Sequence, residues 1–431
     1  MAGGNFTTQN KVRPGAYVNF KAEVSTGTSD AVGGVVTLPL EINFGPSGVI
    51  PVSAETDLTA FGYGLGDKVM QPLREALKNA NTVLVFRIGG GSAASGNGQG
   101  LTATAKYGGE RGNDIHVVIE TQANGLTKVD TILAGRVVDS QNVAKGTDLK
   151  ANQLVTFEAS ETLTNGTIQL TGGSNATGTG ADYAAYFEAI QVFEYNTMAL
   201  PVADKETKAL AAGFTHRMRD QEGKKVQVVL GNYDDADYEG VINVANGVVL
   251  DGEALSAEQT TPWVAGASAS AGVANSLTYT PYQGATDASP RFTNAETIEH
   301  LQKGNLVFTE KRGQAVIEQD INTLVTFTTE KNQYFAKNRV LRVLDNIANN
   351  TKVTFEDNYI GQVNNDTDGR ELFKADRIAY FDSLVAAGAI EAFEADDIQV
   401  LPGNAKDSVV VNVAVTPVDA MEKLYMTVEV N

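Results

Sequence analysis

The stretch SVVVNVAVTPVDAMEKLYMTVEVN, Ser408–Asn431, decides how this chain is read. Val409, Val411, Val413 and Val415 alternate with Val410, Asn412, Ala414 and Thr416; after Pro417–Ala420, Leu424, Met426, Val428 and Val430 alternate with Lys423, Tyr425, Thr427 and Glu429. Period-two alternation of valine, threonine and aromatic residues is the strand signature, and the short connection predicts a terminal hairpin. Its second strand is expected to run to the last residue given, with no polar tail. Chain ends fray unless something pairs with them, so this strand asks for a partner, which a neighbouring molecule can supply.

The other end mirrors it. Arg13–Pro14–Gly15 marks a turn, and Ala16, Val18, Phe20 and Ala22 alternate with Tyr17, Asn19, Lys21 and Glu23, so an extended arm is expected at each terminus. Inward from the first arm, Gly33–Ile42 reads as strand, Asp67–Ala80 as helix and Thr82–Ile88 as a strand covered on both faces. Gly89–Gly100 and Thr171–Gly180 are rich in glycine, serine, asparagine and threonine and read as flexible connectors. Between them lie short strands separated by turns, the pattern of an inserted β domain.

Helix and strand then alternate: helices from Asp182 and over Lys205–Glu222, strands at Thr197–Val202, Val226–Leu230 and Leu306–Phe308, which argues for a parallel sheet. Two amphipathic helices, Asn332–Asn349 and Asp366–Ala387, and a strand over Ile390–Leu401 precede the terminal hairpin. The expected fold is α/β (α+β multidomain): a central α/β domain with a parallel-type sheet, an inserted all-β domain, a C-terminal α+β domain, and β arms at both termini. The expected divisions are residues 1–22 (arm), 23–100 (first part of the core), 101–175 (β insertion), 176–316 (central domain) and 317–431 (closing domain with the hairpin arm).

With 431 residues, 42% of them hydrophobic, the chain can bury several cores. A net charge of −19 opposes non-specific binding to DNA or anionic membranes. The absence of cysteine removes disulfides and thiolate chemistry. Met1–Phe6 lacks the basic-then-apolar pattern of a leader, and no apolar run approaches the roughly 20 residues of a bilayer span, so assembly in the cytosol is expected.

The places where chemistry could sit read as structural. Gly89–Gly91 and Gly96–Gly100 lack the Gly-Lys-Ser/Thr that a phosphate loop needs. Asn364–Gly369 resembles the start of a calcium loop, but its twelfth position is Ala375, where calcium wants a bidentate glutamate; a turn leading into a helix is the better reading. Asp234, Asp235, Asp237 and Glu239 read as a solvated acidic turn. His116, His216 and His300 have no ligand or triad spacing, and Trp263 reads as core. No cofactor, metal or catalytic residue is assigned.

Several stretches resemble contractile phage tail sheath proteins, of the type found in Gram-positive phages, prophages and phage-tail-like bacteriocins. Arg13–Phe20 is similar to that family's opening arm. Pro72–Leu77 followed by Val83–Arg87 is similar to its core. Leu101–Tyr107 with Gly112–Ile115 resembles the start of its inserted β domain, and the last helices and hairpin resemble its closing domain. The resemblance implies a non-enzymatic subunit that stacks as six-fold rings in a helix around a tail tube, meets baseplate and tail-terminator proteins, and contracts. It implies assembly in the host bacterial cytoplasm into a virion tail or phage-tail-like particle.

Subunits would be linked by strand addition through Tyr17, Val18, Asn19 and Phe20, through Val409, Val411, Val413 and Val415, and through Leu424, Met426, Val428 and Val430. Lys331, Lys337, Arg339, Arg342, Arg370 and Lys374 are the basic residues available to face the tube. Two other classes compete: a carbohydrate-binding adhesin, suggested by the Thr/Asn/Gly-rich β block, and an α/β enzyme using the central domain.

Overall fold

The computed structural model describes residues 34–430 and, before them, two short strands, Gly3–Gly4 and Ala16–Tyr17, which pair in parallel. Val18, Asn19 and Phe20 of the expected arm lie outside the described residues. The chain divides into two compact units: Thr37–Leu77 with Thr82–Phe193, and Met1–Val36, Lys78–Asn81 and Glu194–Asn431.

In the first of these, Val35–Glu41, Thr82–Ile88 and Val49–Val52 are successive neighbours, the last two antiparallel. Helices α1 (Gln71–Leu77) and α2 (Gly180–Ile190) accompany them, and the Tyr186 hydroxyl meets Thr37 Oγ1 at 2.9 Å in the buried interior. The remainder is a β-sandwich of two four-stranded sheets. One runs Arg136–Val143, Thr127–Leu133, Ile115–Thr121, Gly166–Gln169; the other runs Val155–Ala159, Leu101–Gly108, Gly90–Gly98, Ser174–Ala176. Alternate residues such as Leu101, Ala103, Ala105, Ile115, Val117 and Ile119 fill its core.

The two glycine-rich segments expected to be flexible connectors therefore each contain a strand, Gly90–Gly98 in the first and Ser174–Ala176 in the second. Gly90–Gly98 is paired on both sides, with Leu101–Gly108 and with Ser174–Ala176. At Gly91 and at Gly108 of the neighbouring strand the backbones pass too closely for side chains: a Cβ on Gly91 would lie 1.7 Å from the Ser174 carbonyl oxygen, and one on Gly108 would lie 2.0 Å from that of Gly91.

The second unit carries four parallel strands in the order Asn305–Leu306, Val241–Val244, Gln227–Gly231, Thr197–Ala199. Their side chains are buried on both faces, as expected for a parallel sheet. Three helices follow in this region: α3 (Lys205–Asp220), capped by Asp204; α4 (Ala257–Ser270), capped by Ser256; and α5 (Asn294–Gln302), capped by Thr293. Trp263 on α4 is fully buried, its ring stacked 4.3 Å from that of Tyr282.

Two longer helices complete the unit. Helix α6 (Asn338–Asn358) is buried almost all round over its first turns, and α7 (Thr367–Ala386) packs Phe381 and Leu384 against Val343 and Ile347 of α6. So deep a helix carries its polar residues in pairs: Asp345 receives Arg219 of α3 through two bonds of 2.7 and 2.8 Å, and Arg342 donates to Asp320 at 2.6 Å.

The terminal hairpin forms with a different partner. Val409–Val413 pairs antiparallel with Ile398–Pro402, Ile398 opposite Val413 and Val400 opposite Val411. The connecting turn is closed by Gly403 N–H donating to the Ser408 carbonyl at 2.8 Å. Residues 421–430 enter no ladder.

Candidate functional site

The last described residues leave the body of the protein as an uncovered segment. Leu424 is 86% exposed, Tyr425 89%, Met426 75%, Val428 69% and Val430 91%. Burying a side chain of this size is worth about 1.5–3 kcal/mol, so covering an apolar run of this length would be strongly favourable.

Upstream, the chain is fastened in steps. Val415 packs on two clusters, one containing Val343, Phe381 and Ile398 and the other Phe335, Val340 and Leu344. Pro417 bridges to Ile390, and Val418 N–H donates to the Ala389 carbonyl at 2.7 Å. The last anchor is Glu422, only 11% exposed, which accepts from Thr278 Oγ1 at 2.8 Å, from Gln319 Nε2 at 2.6 Å and from Lys337 Nζ. Burial pushes its carboxyl up, and hydrogen bonds from Lys337, Gln319 and Thr278 outweigh that and hold it below the usual glutamate range.

The small sheet beside this segment is incomplete. Directly opposite residues share a face, so Val413 lies on the same face as Ile398, and Val411 on the same face as Val400. Ile398 is fully buried and Val400 packs on the same cluster, yet Val411 and Val413 remain 36% and 37% exposed. The covering of the inward face therefore stops at Val409–Val413, whose outer edge has no strand beside it among the described residues. Edge strands of this kind present unpaired backbone groups and accept further strands.

Of the linkage residues expected from sequence, Leu424, Met426, Val428 and Val430 lie on the uncovered arm, and Val409, Val411 and Val413 on the open-edged strand. Val415 is held inside its own subunit. Tyr17 falls in the short strand beside Gly3–Gly4. Glu422 was not singled out: a lone glutamate in an alternating stretch carries no signal, since its three partners come from distant segments.

Five of the six basic residues have partners within the chain. Lys331 pairs with Glu239, Lys337 with Glu422, and Arg342 with Asp320. Arg339 is buried and donates to the Gly388 carbonyl at 3.2 Å, and Arg370 donates to the Asn365 carbonyl at 3.2 Å and its Oδ1 at 3.0 Å. Lys374 is half-buried on α7.

The remaining candidates have structural duties. Asp366 accepts from Gly369 N–H at 2.9 Å as the cap of α7. Asp234 holds Asn243 and Asn305, Asp235 pairs with Lys205, and Asp237 receives the Val325 and Thr326 amides. His116 sits in the sandwich, His216 on α3 beside Tyr238, and His300 on α5 stacked on Phe292.

Four family models match successive parts of the chain: the N-terminal region of tail sheath protein Gp18 domain III over residues 33–88, the phage tail sheath protein beta-sandwich domain over 89–175, its central domain over 176–323, and the phage tail sheath C-terminal domain over 330–431. A sheath tail protein of Desulfitobacterium hafniense has a similar structure, with 43% identity, a TM-score of 0.84, and coverage of 96% of this chain and 99% of that one. A sheath tail protein of Listeria innocua gives 35% identity and a TM-score of 0.82 over 93% of this chain and 96% of its own. The phage-like element PBSX protein XkdK of Bacillus subtilis is 38% identical over the full length of both chains. With a relative of such identity aligned end to end and sheath models matching residues 33–323 and 330–431, the chain belongs to the phage tail sheath protein family.

Proposed function

We propose that this protein is the repeating subunit of a contractile tail sheath, assembled in the bacterial cytoplasm as stacked six-membered rings around a tail tube and seated on a baseplate. The observation that carries the proposal is the pairing of two incomplete features: a bare apolar arm, Leu424–Val430, and an open-edged strand, Val409–Val413, with inward valines half uncovered. Each has what the other lacks. The arm of one copy adds along the Val409–Val413 edge of the next, main-chain bonds supplying affinity and Leu424, Met426, Val428 and Val430 or the alternate face supplying register. Because donor and acceptor are different surfaces, the contact is head-to-tail and propagates instead of closing.

Contraction in this reading is release of a trapped lattice, with arms as hinges between subunits that move as bodies. Membership of a family of structural proteins supports a role without catalysis, and the β block that suggested an adhesin matches the family's own sandwich domain. The test is a chain lacking Lys423–Asn431: it is expected to fold as a monomer and form no tubes, and normal sheaths from it in electron micrographs would reject linkage by this arm.

A further inference from the structure

We infer that Glu422 is the fixed root of the arm, a positioning residue that sets where and in which direction the donated strand leaves its subunit. The inference rests on the sheath reading above and concerns the side of the joint that stays within one chain. Glu422 is the last residue before the bare segment with a hydrogen-bonded side chain, and it stands between Met421 and Lys423, both exposed. Its carboxylate collects donors from three separate segments: Thr278 after α4, Gln319 after the strand Gln314–Ile317, and Lys337 at the start of α6.

Those donors are themselves braced. Thr278 Oγ1 also accepts from Asp320 N–H at 3.0 Å, and Asp320 receives Asn338 at 3.0 Å and Arg342 at 2.6 Å, both on α6. The root is thus one node of a closed polar network, and Asp419 stands 3.9 Å from the same lysine. A charge-assisted contact of this kind has directional strength that a packed apolar residue lacks.

Geometry shows why a fixed root matters. The eight residues from Lys423 to Val430 span about 26 Å when extended, at about 3.3 Å each. A swing of about 20° at the root would carry the tip about 9 Å, nearly two strand spacings of about 4.8 Å. A loosely rooted arm would therefore search several positions around the neighbouring edge, and ordering it on binding would weaken the joint.

The test uses the full-length chain with Glu422→Ala and Glu422→Gln, the second keeping the volume and an amide oxygen while removing the charge. In the soluble subunit, trypsin must seat the bond after Lys423, which a clamped Glu422 hinders. Cleavage there is expected to accelerate about tenfold in Glu422→Ala and less in Glu422→Gln, with the thermal midpoint of the body lowered by no more than about 2 °C. Sheaths seen by negative stain are expected to be short or absent in the first variant and intermediate in the second. Unchanged cleavage overturns the clamp, and faster cleavage with normal sheaths overturns its positioning role. Failure of the sheath reading would look different: the chain lacking Lys423–Asn431 would itself still polymerise.

Discussion

Arg219 has 2% of its surface exposed and meets Asp345 of α6 through two bonds, so a full charge pair joins the helix beside the parallel sheet to the central helix of the closing region. Removing one partner leaves the other charged and buried. Arg219→Met is expected to destabilise the protein by about 3–5 kcal/mol, while Arg219→Met with Asp345→Leu returns close to the starting stability; urea denaturation of the three proteins checks both. Lys225 sits in the same network, donating to the Arg219 carbonyl at 2.8 Å. Burial, aided by the Arg219 charge, brings its ammonium down to about 8 from 10.5, against opposition from Asp345, Asp220 and Glu239. Between those values the unfolded chain holds the extra proton, so stability rises with pH through the window and is reduced below it. Lys225→Met removes the dependence: its advantage over the parent in urea denaturation is expected to shrink from about pH 7 to about pH 10. A constant difference would mean that this amine is not the group held down.

Among the elements, the strand Val409–Val413 was legible and its partner was not. Alternation specifies which residues share a face and says nothing about which neighbour lies alongside. The signal for the true partner was the Pro402–Gly403–Asn404 turn, which returns the chain onto Ile398–Pro402. The glycine-rich strand Gly90–Gly98 is hidden in the sequence for a related reason: composition that suits a linker also suits a ladder where backbones nearly touch. The open edge yields a prediction at this scale. Val411→Lys places a charge on the uncovered inward face and is expected to give a folded monomer that donates an arm but accepts none. Small amounts mixed into the parent protein should shorten sheaths, and mixing it with the chain lacking Lys423–Asn431 should yield no chain of that linkage longer than a pair. Sedimentation and electron microscopy measure both outcomes; long tubes from Val411→Lys alone would place the acceptor elsewhere.

For the whole molecule, the sandwich can be separated from the lattice by experiment. Ala176 is the ladder partner of Gly90, so the two ends of the sandwich are adjacent and a short linker can join them. Replacing residues 90–176 in this way is expected to leave a protein that still forms tubes, because the arm, its root and the open edge all lie in residues 278–430. Tubes absent from a folded deletion would put the sandwich among the subunit contacts.

The chain order by itself determined the succession of α/β core, β insertion and closing α+β region, because helical and strand periodicities report local backbone geometry and which face is apolar. It also marked the terminal segment as one whose alternate residues are apolar, through the pattern from Leu424 to Val430. Only the tertiary structure decided what those features meet. It showed that Arg342 and Lys337 answer Asp320 and Glu422 within the chain, that Val415 lies inside while Val411 and Val413 are half uncovered, and that Glu422 gathers donors from residues 278, 319 and 337. The physical reason is that a charge or an edge acquires its role from groups far along the chain, whose distances no local pattern records.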